Sequence, residues 1–105
     1  MMEQVIDFTH IVQREIQGYA GSMIKGNSYT VFNPEQNVFA VVDVPDHYPR
    51  KFPVSIAVMA RIVGNMVLID EDTTDRPLVD ELVRAGIPRR QIICTYIGES
   101  LPQET

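Results

Sequence analysis

At 105 residues the chain has room for one domain, and 45% apolar against 22% charged residues excludes a disordered segment. The formal net charge of −5 has one source, because residues 70–81 hold six acids and one base while acids and bases balance elsewhere. This balance gives no broad electrostatic drive toward nucleic acid, the single cysteine excludes an intrachain disulfide or a cysteine-based zinc site, and no apolar run is long enough to span a bilayer. The opening MMEQVIDF lacks a basic stretch ahead of an apolar one, so the expectation is a cytoplasmic protein without a secretory signal.

Residues 3–20 read as an amphipathic helix. Val5, Phe8, Ile11, Val12, Ile16 and Tyr19 recur every three to four positions, and glycine at 18 or 21 ends the helix through its left-handed conformation. SYTVFN at 28–33 is a strand, Asn33-Pro34 opens a turn, and VFAVVDV at 38–44 is an apolar central strand interrupted by Asp43. PDHYPRKFP at 45–53 is a proline-rich connection, since prolines withhold backbone donors. Strands at 54–63 and 66–70 flank a Gly64-Asn65 hairpin turn in which both residues accept positive φ. A second helix at about 76–85 starts with Thr74 or Asp75 as cap and Pro77 in the first turn. It buries Leu78, Val79, Leu82 and Val83 and stops at Gly86-Ile87-Pro88. QIICTYI at 91–97 is the last strand, and residues 98–105 form a polar tail that frays.

The order α-β-β-β-β-α-β implies one α+β domain over residues 1–105: an antiparallel sheet of about five strands with two helices on one face.

The acidic run invites a metal reading. Asp70, Asp72 and Asp75 match a calcium loop only loosely, since the central glycine and distal glutamate are missing. Acids at a helix start favour its positive end, and that explains more of the residues. Paired carboxylates would need one raised pKa for acid–base work, which a polar connection does not supply. His10 and His47 share no metal-ligand spacing, although His47 lies near Arg50 and Lys51, where a phosphate or carboxylate could be met. Cys94 reads as a small buried hydrophobe. No serine sits in a nucleophile elbow, and no phosphate-binding glycine pattern occurs. Arg84, Arg89 and Arg90 complement the negative end of the second helix, or else form an arginine edge that meets a partner. The expectation is a protein without catalytic, metal or cofactor residues, with Arg50, Lys51, Asp72, Asp75, Arg84, Arg89 and Arg90 as candidate partner contacts. Two alternatives stand beside it. One is a DNA-binding accessory whose Arg50, Lys51, Arg61, Arg84, Arg89 and Arg90 converge on one face. The other is a small hydrolase or ligand-binding protein that uses Asp70, Asp72 and Asp75. Self-association is a further expectation, with the free sheet edge unassigned.

The run TDRPLVDELVRAGIPRRQIICTY carries the most specific signal. Asp80-Glu81-Leu82-Val83, Ala85-Gly86-Ile87-Pro88 and Gln91-Ile92-Ile93 resemble the closing unit of the XisI-like proteins, named for the fdxN element excision controlling factor. IVQREIQGYA resembles that family's opening helix, and VFNPEQNVFAVVDV is placed like its strand–turn–strand. The chain lacks tryptophan and has VPDHYPRKF and GNMVLI where the family often carries Gly-Trp, basic residues and a GKIWI hairpin. The resemblance implies an accessory role in excision of a DNA element, alongside a XisH-like companion, itself similar to nuclease-fold proteins, and a separate recombinase.

Overall fold

In the computed structural model the described residues are 8–23, 26–46 and 53–101. Helix α1 spans Thr9–Gln17, with Val12 and Ile16 fully buried, Phe8 buried just before it, and Ile11 and Tyr19 partly buried beside them. This is the expected stripe; Val5 and the first part of the expected helix lie outside the described residues. Gly18 ends α1 in right-handed geometry, with φ −65°. The left-handed stop expected at Gly18 or Gly21 is not used at Gly18, and Gly21, with φ 145°, already belongs to the following strand. The last turn tightens instead, with the N–H groups of Gly18, Tyr19 and Ala20 donating to carbonyls three residues back.

Among the described residues six strands follow in one sheet whose spatial order is the chain order: β1 (Gly21–Met23), β2 (Gly26–Asn33), β3 (Val38–Pro45), β4 (Ser55–Val63), β5 (Met66–Asp72) and β6 (Ile92–Cys94). Short connections make the first five antiparallel. Between β2 and β3, Asn33 Oδ1 accepts the Gln36 N–H, and Asn37 takes φ 55°. In the Gly64-Asn65 turn only Gly64 has positive φ, at 61°.

Helix α2 spans Leu78–Arg84 and carries the chain over the sheet, so β6 joins β5 in parallel. This last strand is a parallel member of the otherwise antiparallel sheet expected from the sequence. It is also shorter than expected, because Arg89–Gln91 before it and Thr95–Ile97 after it form 3-10 turns. The three-residue β1 is an addition to the expected strands.

Both helices cover the same face. Phe39 and Val41 from β3, Val58 and Ala60 from β4, Val67 and Ile69 from β5, and Ile92 and Cys94 from β6 meet Val12, Ile16, Leu78 and Leu82 in one core. Helix α2 ends as expected. Gly86 has φ +113°, its N–H donates to the Val83 carbonyl, and the Ile87 N–H donates to the Leu82 carbonyl. Ile87 and Leu82 are both buried, which completes a Schellman stop with its apolar contact.

Two bulges shape the rest. Opposite β3, the register passes from Val41↔Val58 to Val42↔Ile56, leaving Ala57 as the extra residue. Opposite β4, it passes from Ala60↔Ile69 to Met59↔Glu71, leaving Asp70 extra. A bulge reverses which face later side chains meet. Glu71 is thereby set opposite Met59, on the face away from the helices, and Asp72 opposite the fully buried Val58, on the face that carries α2.

Candidate functional site

The acidic run divides among three jobs. Asp70, displaced by the bulge, receives two hydrogen bonds from the Arg61 guanidinium, one of them at 3.2 Å, and one from the Thr95 hydroxyl at 2.6 Å. Partial burial pushes the Asp70 pKa up, but the bonds from Arg61 and Thr95 and the charge of Arg61 outweigh it, so the net shift is down. Asp72 reaches under the start of α2. Its Oδ2 accepts the Leu78 N–H at 2.7 Å, and its Oδ1 accepts the N–H and hydroxyl of Thr74 at 2.9 and 2.7 Å. The cap expected from Thr74 or Asp75 thus comes from Asp72, and Pro77, expected within the first turn, occupies the N-cap position just before it. Sequence spacing pointed to the residues next to the helix. The capping carboxylate lies six positions upstream because the bulge aimed it there. Asp75 is exposed and does not cap.

Around α2, Glu81 bridges two cations: Arg84 donates to it within the helix, and Arg76 Nε lies 3.7 Å away. Arg76 also stacks over the Tyr19 ring at 4.4 Å from its centroid, and Tyr19 donates its hydroxyl to the Arg76 carbonyl at 2.5 Å. Burial raises the Tyr19 pKa, while the hydrogen bond and charge of Arg76 pull against that rise. These contacts tie the end of α1 to the start of α2.

Beyond α2, Arg89 donates to the Ile92 carbonyl at 2.7 Å and to Glu99 at 3.0 Å. Glu99 in turn accepts the Cys94 N–H at 2.8 Å, and this bond and Arg89 lower its pKa. Of the tail expected to fray, Glu99 is therefore held, and residues 102–105 lie outside the described residues. Cys94 is buried as expected, and burial followed by the Glu99 charge raises its thiol pKa.

The candidate partner contacts among the described residues fall in different surroundings. Asp72 is taken up by the cap. Arg84 and Arg89 line a shallow groove of about 500 Å³ with Asp80 and the exposed Val83. Arg90 is exposed in the turn that follows. Arg50 and Lys51 lie outside the described residues. Val83, expected in the buried stripe, is instead 42% exposed. A second cleft, of about 270 Å³, opens between Tyr19, Ser28, Asp43 and Thr73–Asp75. Ser28 and Asp43 face each other across β2 and β3, and the Ser28 hydroxyl donates to Asp43 at 2.5 Å. The one signal for that pair in the sequence was the acid interrupting an apolar strand.

Arg61, Arg84 and Arg89 are each paired with a carboxylate. Among the described residues, no three His, Cys, Asp or Glu side chains gather in a way that could hold a metal ion. No helix among them is long and apolar enough to cross a membrane.

The family model for the XisI protein matches residues 2–105. A XisI-like protein from Anabaena variabilis ATCC 29413, with a crystal structure at 1.30 Å, superposes with a TM-score of 0.75 at 20% identity, covering 85% of this chain and 84% of that one. The fdxN element excision controlling factor XisI from the same organism superposes with a TM-score of 0.68 at 21% identity, covering 85% of this chain and 88% of that one. No curated protein matches the chain. At these identities the two structures show a shared fold.

Proposed function

Because the chain belongs to the XisI family, we propose that it is a non-catalytic accessory protein in the control of DNA-element excision, acting by binding a XisH-like companion. The family match over nearly the whole chain carries this reading. The shape of the C-terminal unit supports it. Its carboxylates are engaged in capping α2, pairing Arg61 and bridging Arg76 and Arg84. The groove beside α2 offers what a protein interface uses, an exposed apolar residue, Val83, between Arg84 and Arg89.

Co-expression with a XisH-like protein, followed by affinity capture and size-exclusion chromatography, tests the proposal. The expected result is a co-eluting complex that V83D/R84E weakens, with circular dichroism checking that the variant is folded at the assay temperature, since the loss of the Arg84–Glu81 pair lowers the stability of α2. Two proteins that elute separately at micromolar concentration would overturn it.

A further inference from the structure

The two edges of the sheet are finished differently. At the β6 edge the chain occupies its own backbone groups. Glu99 accepts the Cys94 N–H and donates its own N–H to the Cys94 carbonyl at 3.2 Å, and Arg89 takes the Ile92 carbonyl. At the opposite edge, β1 covers β2 only over residues 26–28. Residues 29–33 pair with β3 on one side, and on the other side none of the described residues pairs with them. A strand edge left in this way is a template for another strand.

Within residues 29–33 the side-chain devices that discourage such pairing are missing, and Pro34 follows only after the segment ends. Residues 29–33 read Tyr-Thr-Val-Phe-Asn, with no charge and no proline. The β2–β3 ladder runs without a register shift, so no bulge twists the edge away. Tyr29 and Val31 are 54% and 52% exposed, on the face opposite the helices.

We propose that residues 29–33 are the contact through which two copies of this chain associate, β2 against β2, antiparallel about a two-fold axis at Val31. The sheet then continues from one copy into the other. Val31 faces Val31, Tyr29 faces Asn33 and Thr30 faces Phe32, so the segment is complementary to itself, as a two-fold contact requires. Charge favours this occupant. Two copies of a chain with net charge −5 repel in general, and an uncharged segment is where they approach with least penalty. A charged partner strand would find no opposite charge among these residues. Five residues a side are fewer than the roughly 20–30 of a standard interface, so the association is of moderate strength.

Sedimentation velocity of the full chain, from low to several hundred micromolar, tests the proposal. The expected result is a concentration-dependent monomer–dimer equilibrium. V31K and V31E each weaken it by at least about tenfold, since like charges then oppose on the axis, and an equimolar mixture of the two restores the dimer. V31C forms a disulfide-linked dimer under mild oxidation, because directly opposed Cα atoms in an antiparallel pair lie about 4.5–5.5 Å apart, within disulfide reach. Circular dichroism checks that each variant is folded, and the cysteine variant decides the matter if a charged one is not. A wild-type chain that stays monomeric throughout, or a dimer indifferent to V31K, overturns the proposal. Binding of a companion protein is a separate question with its own assay.

Discussion

The carboxylate of Asp72 accepts three hydrogen bonds at the start of α2, whereas Asp75, three positions on, accepts none among the described residues. Capping groups of this kind are worth about 0.5–2 kcal/mol. Asp72→Ala should therefore lower the free energy of unfolding in urea by about that amount, while Asp75→Ala should stay within about 0.5 kcal/mol, as an exposed substitution does. Equal effects would show that the cap has been assigned to the wrong residue. Asp70 gives a pH dependence. Its folded pKa is lowered, so the unfolded chain takes up the proton first as pH falls. The stability it contributes is complete above the unfolded carboxylate value, about 3.9, and is lost as pH falls through the folded value. Asp70→Asn should flatten the acid limb of the stability profile in that window and leave the slope near neutral pH unchanged. Removing the Thr95 hydroxyl in Thr95→Val should move the Asp70 pKa back upward, which carboxyl NMR would detect.

Helix α2 and its stop show which elements the sequence announces by itself. Gly86-Ile87-Pro88 is a local signal, and the Gly86 φ of +113° with Ile87 packed on Leu82 fulfils it locally. Gly86→Ala should cost about 1–3 kcal/mol through backbone strain alone, measurable as a lower urea midpoint with an unchanged slope. The hairpins β2–β3 and β4–β5 were legible for the same reason, since β-branched and apolar runs around Asn-Pro and Gly-Asn need no distant partner to be recognised. The bulges at Ala57 and Asp70 were not legible, because each is a mismatch between two strands and exists only once they are paired. Everything that depends on them was hidden too. The Ala57 carbonyl accepts both the N–H and the hydroxyl of Thr73, and Asp72 turns toward α2. The acidic run looked like one helix start because its parts are contiguous in sequence, and the second bulge separates them onto opposite faces. The strand β1 carries no strand signal in the sequence, because Gly-Ser-Met has neither alternation nor β-branched residues.

At the scale of the whole molecule, Cys94 belongs to the same buried cluster as Val12 and Ile16 from α1, Leu82 from α2, and Phe39 and Ile69 from the sheet. A thiol there reacts only when the structure opens, and burial further disfavours the thiolate that reacts. Its labelling rate by a thiol reagent is therefore a readout of opening, and two variants separate global from local routes. Leu82→Ala removes packing at the centre of the cluster and should cost about 2–5 kcal/mol. If labelling follows global unfolding, the rate should rise by the matching factor, about tenfold for each 1.4 kcal/mol. Glu99 acts differently, because it clips the outer edge of β6 through the Cys94 N–H and Arg89 while standing outside the core. Glu99→Ala should speed labelling while leaving the urea midpoint nearly in place, since it releases a three-residue strand without disturbing the helices. If Glu99→Ala instead lowers the midpoint as far as it raises the labelling rate, β6 does not open on its own. The last strand would then be part of the cooperative unit that holds both helices to the sheet.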